Sequence, residues 1–202
     1  MKRLFIIPML FSFAVAVAVG QEGRKAGAAT GIPAGYGDAQ WGARLSAARD
    51  NVKGKLVHTD DKSVIITRDG DLEYHYGFFY IDPALAGETP GTEPDERPGG
   101  EVDEGTLFYV ALKFPYLPLD EMKKRIEEKF GPSTNENIHN NQGAIAWNGD
   151  QTVVILWVDR YEGRPYCRRI TYLDKRITKE LRDYRFKVFN RVELGILRNL
   201  GI

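Results

Sequence analysis

Six residues between Arg160 and Arg169 have side chains suited to recognition: Arg160, Tyr161, Arg164, Tyr166, Arg168 and Arg169. Arginine and tyrosine dominate binding hot spots, and guanidinium groups pair with carboxylates and stack on rings. The same pattern also fits a solvated edge strand protected by charge. Catalytic chemistry has thinner support. Asp60, Asp61 and Asp150 stand near turns, and two such carboxyls could act as acid and base only if held about 5–10 Å apart. His58, His75 and His139 have no metal-ligand spacing, so no metal site is expected. No GxSxG, P-loop, GxGxxG or HExxH motif occurs, and no cofactor or catalytic set is expected. Cys167 is the only cysteine, which excludes an internal disulfide and suggests a thiol buried on a strand.

The elements that must carry these residues follow from the pattern of the chain. It has 202 residues, 43% apolar and 28% charged, an ordinary globular composition. Its 28 basic and 28 acidic residues balance, so no strong field draws it to nucleic acid. Residues 1–20 read as a signal peptide: Lys2 and Arg3, then an apolar run from Leu4 to Val19, then small residues ahead of Gly20. The alternative is an uncleaved anchor, although sixteen mostly apolar residues fall short of the ~20 that a span needs. No cysteine follows the run, so a lipoprotein is not expected, and the chain should be exported to the periplasm or secreted. Cleavage would leave 26 basic against 28 acidic residues.

Residues 21–37, rich in Gly and Ala, read as a flexible spacer. Residues 38–202 should form one α+β domain: a largely antiparallel sheet packed by two or three helices. Trp41, Leu45, Ala48 and Val52 recur at helical spacing, which predicts a helix from about Gln40 to Lys53 with Asp38 as N-cap and Gly54 at its end. Strands follow at Leu56–Thr59, Val64–Thr67 and Leu72–Ile81, with a hairpin at Asp69-Gly70. Tyr74, Tyr76 and Phe78 share one face of the last of these. Pro83 to Glu104 holds four prolines, four glycines and seven acidic groups against Arg97, and reads as a disordered acidic loop.

The chain resumes with a strand over Leu107–Phe114, with Phe108, Val110, Leu112 and Phe114 on one face and Pro115 ending it. A helix carries Leu119, Met122, Ile126 and Phe130 to a stop at Gly131-Pro132. Ser133–Gln142 reads as loop. Ala144–Trp147 and Thr152–Val158 flank a turn at Asn148-Gly149-Asp150. Tyr161–Pro165 is a second turn, and Tyr166–Leu173 the final strand. The tail predicts a helix with Ile177, Leu181, Tyr184, Val188 and Val192 as its apolar stripe.

Two halves echo each other: a helix ends at Gly54 and at Gly131, and hairpins turn near Gly70 and Gly149. Trp41-Gly42 at a helix start, Phe130-Gly131-Pro132 at a helix end and Trp147 before a hairpin together resemble small secreted bacterial proteins of unknown function. The resemblance spans about residues 36–173 and implies a compact periplasmic α+β domain with no catalytic residues to transfer. In outline only, the echo is similar to tandem helix-plus-sheet binding folds such as the β-lactamase inhibitor protein and outer-membrane assembly lipoproteins.

The function expected is a non-enzymatic periplasmic binding or scaffold protein that contacts another envelope protein through Arg160–Arg169. The alternatives are a carboxylate-dependent hydrolase of cell-wall material and a peripheral membrane protein held by its basic C-terminal helix. Nothing in the sequence fixes the oligomeric state.

Overall fold

A computed structural model describes residues 31–80, 104–176 and 189–202. The expected signal peptide, the first part of the expected spacer, the acidic segment up to residue 103 and the stripe residues Ile177, Leu181, Tyr184 and Val188 lie outside them. The elements are β1 (Gly35–Tyr36), β2 (Ala39–Gln40), α1 (Leu45–Arg49), β3 (Lys55–Thr59), β4 (Val64–Asp69), β5 (Leu72–Phe79) and β6 (Thr106–Pro118). Then come α2 (Leu119–Phe130), β7 (Asn135–His139), β8 (Gln142–Asn148), β9 (Thr152–Tyr161), β10 (Arg164–Asp174) and α3 (Arg191–Asn199). The architecture is α+β and mostly antiparallel sheet. Eight strands run in the order β3-β4-β5-β6-β10-β9-β8-β7.

The order follows from local turns. Two-residue connections join β4 to β5, β7 to β8 and β9 to β10, and each has the positive φ that such turns require. Glu162-Gly163 and Asn140-Asn141 have positive φ at both central positions. At the first hairpin the central pair is Gly70-Asp71, one residue later than predicted, and only Gly70 has positive φ. The strands either side of the acidic segment, β5 and β6, are paired neighbours, with Phe79 opposite Thr106.

One face of the sheet carries the larger core. Trp41, Leu45 and Ala48 from the α1 region and Met122, Ile126 and Phe130 from α2 pack on Tyr76, Phe78, Val110, Trp147, Leu156 and Ile170. Among the described residues the opposite face is covered near β8, β9 and β10, where Phe189, Leu197 and Leu200 sit on Ala144, Ala146, Ile155 and Trp157. Strand β9 is therefore buried on both faces from Thr152 to Val158, which is why it reads as an unbroken apolar run.

Several expectations need correction. The first helix is only Leu45–Arg49, and Asp38 does not cap it. Gly42 takes a positive φ, Arg44 is extended and bridges Thr106, and Ala39–Gln40 pairs as strand, so the helix starts late. The stripe still faces the core, with Trp41, Leu45 and Ala48 buried. The spacer ends before residue 37, because Ile32 and Tyr36 already pack on the core.

Strand β6 runs through Pro115 to Pro118. Beyond Lys113 it has lost β5 and pairs only with β10, so proline's missing N–H faces no ladder on that side. An irregularity at Gly77/Phe78 takes Phe108 out of register, so Leu107 joins the inner face with Val110 in its place. Ser133–Gln142 contains strand β7, which is polar because it is an edge. Its signal was the Asn140-Asn141 turn. Finally, Val192 is 72% exposed. Asn190 caps α3 with a capping box to Glu193, and Leu197, not Val192, is the buried residue of that helix.

Candidate functional site

The part of the second sheet face that α3 leaves open carries most of the chain's clustered polar chemistry among the described residues. Its frame is one cross-strand row. Arg68, Glu73, Lys113, Arg169 and Trp157 are successive direct partners on β4, β5, β6, β10 and β9. Directly opposed residues point to the same face, so the first four members of the row lie side by side as one acid, Glu73, among three bases. Glu73 is the hub. It accepts from Arg68 at 2.7 Å, meets His75 Nε2 at 2.5 Å and has Lys113 Nζ at 3.7 Å. Hydrogen bonds from His75 and Arg68, then the charges of His75 and Lys113, pull its carboxyl down to about 2 against some desolvation.

Next to this row β10 has a bulge between Cys167 and Arg169. The extra residue turns Arg168 onto the same face as Arg169, where strict alternation would have put the two on opposite sides. Each guanidinium is fixed twice. Arg168 lies 5.4 Å from the centre of the Tyr116 ring and donates from Nε to Asp159 Oδ2 at 3.2 Å. Arg169 lies 4.5 Å from the centre of the Trp157 ring and forms an ion pair with Glu193 of α3. Trp157 in turn donates Nε1–H to Thr171 Oγ1 at 2.9 Å. Between α3 and the sheet these residues line a cleft of about 500 Å³, with Lys113, Phe114 and Asn190 on its walls.

At the end of the face three tyrosines meet. Tyr116 and Tyr161 stack with ring centres 4.7 Å apart, and Tyr166 stands edge-on to both. Tyr116 and Tyr161 are 39% and 44% exposed, an apolar patch that the sheet itself does not need.

The structure thus brings together most of the predicted binding set and separates one member. Tyr161, Arg164, Tyr166, Arg168 and Arg169 fall on the open face by strand alternation and the bulge. Arg160 alternates to the opposite face, paired with Pro165. Among the described residues neither Arg160 nor Arg164 has an ion-pair partner. Sequence reasoning missed Tyr116, Lys113, Asp159, Trp157 and Glu193. No local signal marked them, because cross-strand neighbours such as Lys113 and Arg169, 56 residues apart, leave no trace in a single window of sequence.

The catalytic alternatives find little footing. Asp60 accepts from the backbone N–H groups of Lys62, Ser63 and Val64 at 3.0, 2.7 and 2.9 Å and from the Ser63 hydroxyl. Burial would raise its pKa, but these bonds outweigh it and hold the carboxyl at about 2, so it fixes the β3–β4 turn. Asp61 is ion-paired with Arg49. Asp150 belongs to the β8–β9 turn, and β4 and β9 are four places apart in the sheet order. At about 4.8 Å per strand that is roughly 19 Å, beyond the reach of a cooperating carboxyl pair. His58, His75 and His139 sit on β3, β5 and β7 and form no metal-holding group among the described residues. Cys167 is fully buried, and burial together with Asp159 pushes its thiol up to about 12. A thiol of that kind is inert at neutral pH.

No protein-family profile matches the chain, and neither a characterised protein nor a solved structure matches it.

Proposed function

We propose that this chain is an exported, non-enzymatic binding or scaffold protein that docks another cell-envelope protein on the open face of its sheet. The observation that carries the reading is the cluster of Tyr116, Tyr161, Tyr166 and Arg168, where rigid rings and a stacked guanidinium stand exposed at one end of that face. Such rings offer large contact area with few torsions to immobilise, and arginine over a ring is a pre-formed hydrogen-bonding fork. The export part rests on residues 1–20 and their charged, apolar and small-residue order.

The finer fold reading belongs to the same proposal. The chain is two helix-plus-sheet halves, α1 with β3–β6 and α2 with β7–β10, that meet where β6 pairs with β10. Those two strands are 13 and 11 residues long, and their extended ends carry Tyr116 and Tyr166. On this view the junction of the halves builds the binding end.

Cross-linking in intact cells followed by affinity capture tests the proposal. A partner recovered with the native chain and lost with Arg164→Glu and Arg168→Glu is the expected result. Capture that is indifferent to both changes, or absence of any partner together with normal behaviour of the variants in vivo, refutes it.

A further inference from the structure

The cleft beside α3 is built for one kind of group, and we infer that it receives the carboxylates of an acidic peptide segment on the partner protein. This rests on the binding reading above and deepens it. The bulge sends Arg168 and Arg169 to one face, and Lys113 stands opposite Arg169 on β6. Three cations therefore converge on one cleft of about 500 Å³.

Each is held without being used up. Arg168 engages Asp159 through Nε, which leaves both its terminal nitrogens without a partner among the described residues. Arg169 uses a single terminal nitrogen on Glu193, whose other oxygen is taken by the backbone N–H of Asn190. Lys113 Nζ stands 3.7 Å from its nearest carboxylate and is 48% exposed. A guanidinium pinned over a ring and oriented by one carboxylate presents its remaining N–H groups in a fixed fork, the geometry that pairs with a second carboxylate.

The occupant follows from charge and from the rings. Lys113, Arg168 and Arg169 share the cleft with Asp159 and Glu193, an excess of one positive charge. That suits scattered carboxylates better than a polyphosphate backbone, which needs an uncompensated basic surface. A sugar would stack on an open ring face. Here Arg169 and Phe189 lie against Trp157, and Tyr161 and Arg168 lie against Tyr116. The neighbouring tyrosine patch, with the exposed Arg164 beside it, extends the site along the direction an extended peptide would take.

The full chain without residues 1–20 is titrated with acetyl-Glu-Tyr-Glu-Glu-amide and followed by calorimetry and tryptophan fluorescence. Saturable binding is expected, weakened at least tenfold by Arg168→Gln and by Lys113→Gln, and unchanged by Arg160→Gln on the other face. Circular dichroism and the melting temperature confirm that the variants are folded; all three sites are exposed enough to tolerate the change. Equal affinity for acetyl-Gln-Tyr-Gln-Gln-amide, a tighter response to glucuronic acid than to the peptide, no saturation, or an Arg160→Gln loss matching that of Arg168→Gln overturns the inference. Partner capture that depends on Arg164 and Arg168 without any acidic-peptide binding refutes the carboxylate assignment alone. Loss of both refutes the binding reading as well.

Discussion

Glu73→Gln isolates the hub of the charged row. In the folded chain Glu73 holds Arg68, His75 and Lys113 together, and its carboxyl is lowered from an ordinary 4.5 to about 2. A shift of this size would correspond to roughly 3 kcal/mol if fully realised. The side chain is 26% exposed and two of its partners about half exposed, so solvent screening reduces the expected value to about 1–2 kcal/mol. Because the folded pKa is depressed, the stabilisation is complete above about 4.5 and disappears as pH falls through about 2. Urea unfolding of both proteins at pH 7, 4 and 2.5 reads this directly. At pH 7 the variant should be less stable by about 1–2 kcal/mol, a lowering of the melting temperature of about 2–8 °C for a chain of this size. The gap should shrink at pH 4 and shrink further at pH 2.5. A gap that is constant with pH, or a variant as stable as the native chain at pH 7, would show that the row is solvated and does not act as a unit.

Three further outcomes follow from the packing. Ile126→Ala empties a position of α2 in the larger core and should cost about 2–5 kcal/mol by urea unfolding. Gly143→Ala should be at least as damaging, since φ is +148° and the added carbon would meet Asn137 O at 1.9 Å; native-state hydrogen exchange should show the β7–β8 pairing opening first. Cys167 should resist alkylation by iodoacetamide at pH 8 in the folded chain and react fully in urea, and comparable rates in the two states would contradict its burial.

Local signals carried much of the fold. Asn148-Gly149-Asp150 marked the β8–β9 turn, the Met122, Ile126 and Phe130 spacing marked α2, and the alternation of Tyr74, Tyr76 and Phe78 marked the buried face of β5. The failures share a cause. Pro115 looked like a strand end because proline lacks a donor, yet β6 has no partner on that side by then, a fact fixed by where β5 stops. Strand β7 looked like loop because an edge strand needs few apolar residues. The α1 region showed a helical stripe without forming a long helix, since Gly42 and the Arg44–Thr106 bridge bind its first residues to the sheet.

The site was half legible for the same reason. Residues 160–169 stood out by type, but the distinction between Arg160 and its neighbours depends on strand register. The pairing of Arg168 and Arg169 on one face depends on a bulge. Their ring and carboxylate partners come from β6, β9 and α3, which no single window of sequence contains.

Site-specific photo-cross-linking tests the central claim most directly. A benzophenone side chain is placed at position 161 on the open face, or at position 160 on the opposite face, and illuminated in living cells. The account predicts a discrete adduct with an envelope protein from position 161, abolished when Arg168 is changed to Glu, and none from position 160. Adducts of equal yield from both positions, or an adduct from 160 alone, would contradict it.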